Sequence, residues 1–471
     1  MNRLREKLIS IPFAFMGMGI FRVWTETVYS NGLITFPSQS ETGFGFAAFN
    51  IVAAAALILA AFLSKRLATL YDKPWASPLT GACLVSSACL NFLSLYMPQL
   101  AMPLGAIAAV AGGVGIALII LLWSELFSCL NPLRVGLYFS GGLVAGALIL
   151  WLFKGLAIPW LWVCVCAVPL VSLACLKKAY SLLPDDERPH AAWGKRSVPW
   201  KPIAIVVLYS FSYGLCENVF GDDLGIHSGF GCVFAAVAVY LAICWRKEGF
   251  SFSFTYKAAC PLMIASLVPF ASLMPFGGEV SAFFALSGYT LVLIAIMVIM
   301  SNLCYQHGFN ALWLFGIERA MRLLSVQAGI EVKRFWSSSV NVSFTDELIL
   351  GIVVAIMIAL ATYFFLSEAR MTSSWGATLQ SVDASEVSGR ERMRLGEKCS
   401  KMAETFALTA REEEVLVLLM QGKKPQQIER ELYVANSTVK THIKHVYQKM
   451  DVHSRQELME FMGVGRSREG R

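Results

Sequence analysis

Membrane-length apolar runs recur from Leu8 to Leu366 of this 471-residue chain and leave few folds open to it. Each run could cross a hydrocarbon layer of roughly 30 Å as an α-helix. With 56% hydrophobic and only 15% charged residues, the composition excludes an ordinary soluble protein. The sequence therefore predicts an all-α, polytopic membrane bundle over residues 1–366.

The apolar runs define twelve candidate transmembrane spans. They are expected at 9–29, 43–63, 78–97, 102–123, 134–153, 157–176, 202–220, 226–245, 257–276, 280–303, 310–328 and 346–366. A polar loop from Lys177 to Lys201 divides them six and six. That division indicates two related halves, although the sequence shows no strong repeat between them.

Loop charges predict the orientation, because cytoplasmic loops carry an excess of lysine and arginine. With the N-terminus inside, the cytoplasmic loops carry Lys65, Arg66, Lys73, Arg134, Lys177, Lys178, Arg188, Lys195, Arg196, Lys201, Arg246, Lys247 and Lys257. The opposite loops carry Lys154, Lys333 and Arg334. An even number of spans then returns the C-terminus to the cytoplasm. We therefore expect a multi-pass protein of the bacterial cytoplasmic membrane with both termini cytoplasmic.

Six plus six helices around a polar central loop resemble the major facilitator superfamily. The loop after the second span, Ser64 to Lys73, keeps the basic residues and an aspartate typical of that family's loop. The resemblance implies a central cavity lined by the first and seventh spans.

Ionisable side chains inside spans are costly to bury and are therefore candidate ligand contacts. Arg22 and Glu26 lie one helical turn apart in the first span, and Glu217 lies in the seventh. The facilitator resemblance implies that these three side chains converge on the central cavity, with Trp24 as an aromatic wall. They are the predicted site for a small-molecule ligand.

A structural role is the alternative for these charges. An Arg–Glu pair at four-residue spacing, as in Arg22 and Glu26, can satisfy itself within one helix. The same spacing joins Glu318 to Arg322, beside Arg319, in the eleventh span. For that second group we favour the structural role.

A different pattern begins near Phe406. Thr409 and Glu412 form a T-x-x-E capping box at the start of an apolar helix. Pro425 opens a second, short helix, and a tight connection leads into a third from Asn436 to Met450. Two short helices joined by a tight turn are typical of a helix-turn-helix.

The third of these helices has two contrasting faces. Its buried stripe is predicted to be Val439, Ile443, Val446 and Met450, and its outer face Lys440, Thr441, Lys444 and Gln448. The helix carries three lysines, two histidines and no acid, although residues 406–462 as a whole carry eight basic and eight acidic residues. A positive outer face favours insertion into the major groove of DNA.

These residues resemble the LuxR-type helix-turn-helix. The matching elements are L-T-x-R-E-x-E-V-L at Leu408 to Leu416, T-V-K-T-H at Thr438 to His442, and V-x-S-R-x-E-L at Val452 to Leu458. The resemblance implies that Lys440, Thr441 and Lys444 face base edges, while Thr438 and its neighbours hold phosphate. Ser437 and His442 are the other expected DNA contacts. It also implies that a last helix, near Ser454 to Met462, pairs two domains on DNA.

The sequence departs from the LuxR pattern around the turn. The departures are Lys424-Pro425 for Ser-Asn, Glu429 for alanine, Tyr433 for the turn glycine and Ala435 for the capping serine. Asn436 or Ser437 is expected to cap the third helix instead. We expect the fold to persist with altered DNA geometry.

The remaining segments connect or extend these two parts. Residues 367–405 lose hydrophobicity and are rich in small polar groups, which predicts a linker. Residues 406–462 are predicted to form a small cytoplasmic four-helix domain, followed by a basic tail at 463–471.

Together these features predict a one-component transcription regulator embedded in the lipid bilayer. Its bundle would sense a small molecule or a membrane signal, and its C-terminal domain would bind double-stranded promoter DNA as a homodimer. One alternative is a secondary transporter with a regulatory C-terminal domain, and another is a protein-docking module with incidental lysines. We find no catalytic motif and expect no enzyme, cofactor or metal site, since the twelve cysteines include no C-x-x-C.

Overall fold

A computed structural model describes the chain in segments. These are residues 13–29, 33–40, 44–183, 188, 199–216, 229–245, 253–267, 277–307, 309–339, 344–365, 398–399, 401–420, 423–432 and 436–462. Glu217, most of the expected linker and the expected basic tail lie outside these residues.

Twelve helices of at least 13 residues occupy the described part of residues 13–365, one at each predicted span. They are α1 (Gly17–Tyr29), α2 (Phe44–Phe62), α3 (Ala76–Tyr96), α4 (Ala101–Ser128), α5 (Pro132–Phe153), α6 (Ile158–Leu182), α7 (Trp200–Cys216), α8 (Phe230–Trp245), α9 (Ser253–Ser266), α10 (Gly277–His307), α11 (Ala311–Ser339) and α12 (Phe344–Phe365). The fold class is all-α within the described segments, as predicted.

Six of the described helices, α2 to α6 and α10, are long and apolar enough to cross a membrane. Shorter apolar helices are α8 and the stretch Ile349–Leu360 of α12. By length and composition the chain is therefore a polytopic membrane protein. A count of twelve crossings goes beyond these criteria and stays a prediction.

Helix contacts repeat between the two halves of the bundle. In the first half, α1 packs on α5 and α6, α3 packs on α4 and α6, and α2 packs on α4. In the second half, α7 packs on α11 and α12, α9 packs on α10 and α12, and α8 packs on α10. The halves meet where α2 contacts α11 and α5 contacts α8. The pairing shows a two-fold repeat that the sequence itself did not reveal.

Glycines bring equivalent helix pairs close together in both halves. A Cβ added to Gly146 of α5 would lie 2.5 Å from the carbonyl oxygen of Gly19 in α1. A Cβ added to Gly329 of α11 would lie 2.9 Å from the backbone nitrogen of Leu215 in α7. Small residues at helix crossings are the usual way in which membrane helices gain packing contacts.

Four helices run at least four residues beyond their predicted ends, and the sixth and the eleventh do so by the most. The sixth continues from the expected Leu176 to Leu182, because Ala179 and Tyr180 still bury an apolar face. The predicted loop from Lys177 to Lys201 is therefore helical at its start. The eleventh continues to Ser339 and includes Lys333 and Arg334, which were expected in a loop.

Polar side chains near the predicted end of α11 have partners. Ser325 Oγ donates to the carbonyl oxygen of Val207 in α7 at 2.6 Å, and Gln327 Oε1 accepts from Asn50 Nδ2 of α2 at 3.1 Å. Gln327 Nε2 also donates to Glu331 Oε1 at 2.8 Å, which joins the predicted span to the helical turn beyond it. Because these polar groups are hydrogen-bonded, they are accommodated within the helix.

The C-terminal part forms four helices around a core of its own. They are α13 (Ala410–Met420), α14 (Pro425–Leu432), α15 (Asn436–Lys449) and α16 (Arg455–Phe461). Val415, Leu416, Val439, Val446 and Leu458 are fully buried in this core. The predicted four-helix order is therefore confirmed, with Pro425 at the start of α14.

Candidate nucleic-acid interface and ligand cavity

The third helix of the C-terminal domain, α15, has the two faces that its sequence predicts. Val439, Val446 and Met450 are buried, and Ile443 is half-buried against the same core. The other side carries Lys440, which is exposed. The apolar stripe fixes the rotation of the helix and therefore decides which side chains face outward.

Five of the six predicted DNA contacts lie on the exposed face of α15. They are Ser437, Thr438, Lys440, Thr441 and Lys444. The Oγ1 of Thr441 donates to the carbonyl oxygen of Ser437 at 2.9 Å, which orients that hydroxyl along the helix. The structure thus gathers one polar, positively charged surface without an acid of α15 on it.

The sixth predicted contact, His442, is only half-exposed and lies on the edge between the two faces. Its side chain forms a group with Glu412 of α13 and His445, in which one ligand atom of each lies within 4.8 Å of the others. His442 is therefore placed towards α13 rather than on the exposed face of α15.

The Glu412 carboxylate joins α13 to α15. Its Oε2 accepts from the N–H of Thr409 at 2.8 Å and from Lys449 Nζ at 2.7 Å. The N–H of Glu412 donates to Thr409 Oγ1 at 3.3 Å, which completes the predicted capping box. Two histidines beside a carboxylate resemble a zinc donor set. The Lys449 ammonium opposes a second cation there, so the group serves the packing of α15 on α13.

The charge of Glu412 depends on these contacts. Burial by itself would raise the pKa of the carboxyl group. The hydrogen bonds from Lys449 and Thr409 outweigh that effect and lower the pKa from 4.5 to about 2. The sequence gives the capping box but gives no sign that Lys449, 37 residues later, completes it.

We expect Glu412→Gln to lower the free energy of unfolding of this domain by ~2 kcal/mol near neutral pH. Because the folded pKa lies below the unfolded one, the carboxylate stabilises the domain above pH 4.5. That contribution is lost as the pH falls from 4.5 towards 2. Thermal unfolding followed by circular dichroism should show a difference from wild type that shrinks at acidic pH.

Glu404→Gln is the control, since Glu404 is an exposed acid in the segment just before α13. Its unfolding temperature should stay close to that of the wild type at both ends of the pH range. Equal losses for Glu412→Gln and Glu404→Gln would contradict a specific role for the Glu412–Lys449 pair.

A side-chain hydrogen bond joins the two helices of the helix-turn-helix. Asn436 Nδ2, at the start of α15, donates to Glu429 Oε2 of α14 at 2.6 Å. Glu429, which stands for the family's alanine, thus links α14 to α15, and the cap of α15 by Asn436 or Ser437 stays a prediction. Tyr433 and Ala435 lie outside the described residues.

The last helix, α16, is held at its start by two side-chain hydrogen bonds. Ser454 Oγ accepts from the N–H of Glu457 at 3.1 Å, and Glu457 Oε2 accepts from the N–H of His453 at 2.7 Å. Leu458 is buried against the core, whereas the Phe461 side chain is 51% exposed. The helix thus presents a large apolar group to the solvent beside polar neighbours.

A second candidate site is a cavity of about 110 Å³ between the two halves of the bundle. Its walls come from α1, α2 and α4 of the first half and from α7, α10 and α11 of the second. Three of the lining side chains are arginines, Arg22 of α1 and Arg319 and Arg322 of α11. Helices of both halves therefore bring three arginines to one cavity.

The structure separates the four predicted ligand contacts. Arg22 lines the cavity, with its guanidinium carbon 5.0 Å from the centre of the Phe139 ring. Glu26 lines a smaller space of about 10 Å³ between α1 and α5, which Arg22 also borders. Trp24 is fully buried beside Tyr29 and does not line the cavity, and Glu217 lies outside the described residues.

The eleventh helix supplies two more arginines to the cavity. Arg319 and Arg322, for which the sequence favours a structural role, both line it beside Arg22. Glu318 lies next to them, 3.2 Å from Arg319 Nε and 3.7 Å from Arg322 Nε. A hydropathy reading gives no helix rotation for a span with so many polar residues, so the shared cavity was not foreseeable.

Comparison with known proteins agrees with both parts of the architecture. Residues 407–462 match the family described as bacterial regulatory proteins, luxR family. Two relatives are the HTH-type transcriptional regulator MalT from two strains of Klebsiella pneumoniae, each 39% identical over 82 residues. The match covers 16% of this chain and only 9% of each MalT. The chain thus carries a LuxR-type helix-turn-helix domain.

The membrane part is similar in fold to solved transporters of the major facilitator superfamily. One is the proton:xylose symporter XylE bound to 6-bromo-6-deoxy-D-glucose, with a TM-score of 0.51, 15% identity, and coverage of 76% of this chain and 95% of that one. Another is a double-tryptophan mutant of XylE, with a TM-score of 0.53, 15% identity, and coverage of 80% and 98%. At this identity the likeness concerns the fold alone.

Proposed function

We propose that this chain is a membrane-embedded one-component transcription regulator. Its facilitator-like bundle senses a small molecule or a membrane signal, and its LuxR-type domain binds promoter DNA. The observation that carries the proposal is the exposed Lys440–Thr441–Lys444 surface on a helix whose opposite face is locked into a core.

DNA binding follows the geometry of α15. Lys440, Thr441 and Lys444 reach the base edges in the major groove, where lysine ammonium groups meet guanine acceptors. Ser437 and Thr438, at the N-terminal end of the helix, hold phosphate, which the unpaired N–H groups of a helix start favour. His442 acts from the edge of this surface.

Two copies pair on DNA through α16. The 51% exposed Phe461 offers an apolar contact on that helix, and Gln456 and Glu460 are exposed beside it. A two-fold dimer presents two α15 helices to successive major grooves, so the operator is expected to contain two related half-sites.

The bundle lies in the bacterial cytoplasmic membrane with both termini in the cytoplasm. Support comes from the one-sided distribution of loop lysines and arginines, and from the need for the LuxR-type domain to reach DNA. Neither a LuxR-type domain nor a facilitator-like bundle is typically enzymatic, and we propose that the chain acts by binding alone.

A secondary transporter is the second reading, and the cavity between the two halves favours it. The regulator and transporter readings predict different results in living cells. A Lys440→Ala, Lys444→Ala double variant of a regulator loses control of its promoter reporter while its level in the membrane is unchanged. If the reporter responded normally to the double variant, the regulator reading would be wrong and the transporter reading would lead.

A further inference from the structure

Three guanidinium groups from both halves of the bundle meet at one cavity. Arg22 is 6% exposed and Arg319 is 4% exposed, so both positive charges are almost completely removed from solvent. A buried charge is expensive unless it is paired and hydrogen-bonded. The contacts of these arginines therefore decide whether the cluster already has enough acceptors and negative charge of its own.

The internal counter-ion satisfies the α11 arginines only in part. Glu318 lies at ion-pair distance from Arg319 and Arg322, at 3.2 and 3.7 Å, but neither Nε forms a hydrogen bond with it. Arg319 Nη2 instead contacts the sulfur of Met297 at 3.4 Å, a weak acceptor. Arginine has five N–H donors in a planar fork. These nearly buried donors fit oxygen acceptors better than the neighbours they have.

The rest of the cavity wall is apolar and aromatic. Phe21 and Phe49 line it from the first half, and Tyr213 and Tyr289 line it from the second. The two tyrosine rings stack with their centres 4.6 Å apart, and Tyr289 shares a hydrogen bond with Ser210 at 3.2 Å. A volume of about 110 Å³ is of the same order as the ~150 Å³ apolar cavity that admits benzene in an engineered protein.

We propose that this cavity binds a small organic carboxylate with a compact apolar or aromatic body. The carboxylate docks on Arg319 and Arg22, and the body lies against the phenylalanine and tyrosine rings. This assignment rests on the proposed sensing function and names the chemical class of its ligand.

Charge and geometry favour a carboxylate over other anions. Among the described groups, three arginines stand against Glu318 and Glu26, which leaves one net positive charge for a monoanion. A planar carboxylate matches the planar guanidinium fork with two parallel hydrogen bonds. A ligand anchored on Arg22 of α1 and Arg319 of α11 also links the two halves. It would thereby favour one arrangement of the bundle.

Glu318 separates this proposal from a purely structural ion network. If the ligand competes with Glu318 for the guanidinium donors, Glu318→Gln frees those donors and strengthens binding. If the cluster only fastens helices together, Glu318→Gln removes the counter-ion of two arginines and Arg319→Gln removes one of the two ion pairs of Glu318, so both weaken the protein. If the cavity binds an acid, the two variants change the affinity for that acid in opposite directions. If the ion network is purely structural, both variants are destabilised.

The test uses the full-length protein in lipid nanodiscs and titrates three acids against their primary amides. The pairs are benzoate and benzamide, cyclohexanecarboxylate and its amide, and hexanoate and its amide. Calorimetry and thermal unfolding measure binding. At least one acid should bind at least about tenfold more tightly than its amide, the effect of one charge-assisted hydrogen bond. Arg319→Gln should remove that preference, and Glu318→Gln should enhance it.

The proposal is overturned if no acid outbinds its amide in the folded wild-type protein, or if Glu318→Gln weakens binding as much as Arg319→Gln. Arg22→Lys is the second variant if Arg319→Gln does not fold, and it should reduce the preference while keeping the charge. Lys440→Ala should leave acid binding unchanged. Acid binding without any selective DNA binding would therefore contradict the regulator proposal but not the proposed carboxylate site.

Discussion

Protein carrying both Lys440→Ala and Lys444→Ala is expected to bind its promoter DNA about 100-fold more weakly than wild type, or worse. Each good base contact in the major groove contributes about 1–3 kcal/mol, and every 1.4 kcal/mol is about tenfold in affinity. Both side chains are exposed on α15, so their loss leaves the core of the domain intact. Fluorescence anisotropy with a labelled promoter duplex measures the change.

Salt dependence adds a second readout for the same variant. Each lysine that neutralises a phosphate adds about one to the slope of log affinity against log salt, whereas base contacts change specificity at one position. Lys401→Ala is the matched control, because it removes the same charge from an exposed position outside α15. Unchanged affinity in a folded double variant, or an equal loss in Lys401→Ala, would contradict the assigned DNA face.

Gly19→Val is expected to prevent correct folding of the bundle. A Cβ at Gly19 of α1 would overlap the carbonyl oxygen of Gly142 in α5. Overpacking of a core usually costs about 1–3 kcal/mol. The cost should exceed that here, because the obstacle is backbone rather than the end of a flexible side chain. Total stabilities are only about 5–15 kcal/mol, so we expect little monodisperse protein after extraction.

Gly155→Val controls for the substitution itself. Gly155 follows α5, and a Cβ there would have no atom within 4 Å. Size-exclusion chromatography and thermal unfolding of the two variants should therefore differ sharply, with Gly155→Val close to wild type. A well-folded Gly19→Val protein would show that α1 and α5 are not packed as closely as described.

The helices of both parts follow from local patterns in the sequence. Apolar run length located all twelve bundle helices, and the Thr409–Glu412 box and Pro425 located the first two helices of the C-terminal domain. Local patterns succeed there because helix starts and buried stripes depend on residues within a few positions of one another.

Contacts between distant residues were not predictable in the same way. Glu125 of α4 accepts hydrogen bonds from the N–H groups of Leu70 and Tyr71, at 2.7 and 3.0 Å. Neither segment has a sequence feature that predicts its contact with the other. The same is true of Arg22 and Arg319, which reach one cavity from opposite halves of the bundle. Single-sequence periodicity gives the face of each helix but not the partner that the face meets.

Sequence-selective DNA binding by the segment 389–471 is the most direct measurement. This segment contains the described four-helix core of the C-terminal domain. It would be fused to a dimerising coiled coil and tested at near-physiological salt with DNA from the region around its own gene and with unrelated DNA. We predict selective retention of one site with two related half-sites. A folded, forced dimer that holds both DNAs equally would contradict the proposal that this chain regulates transcription.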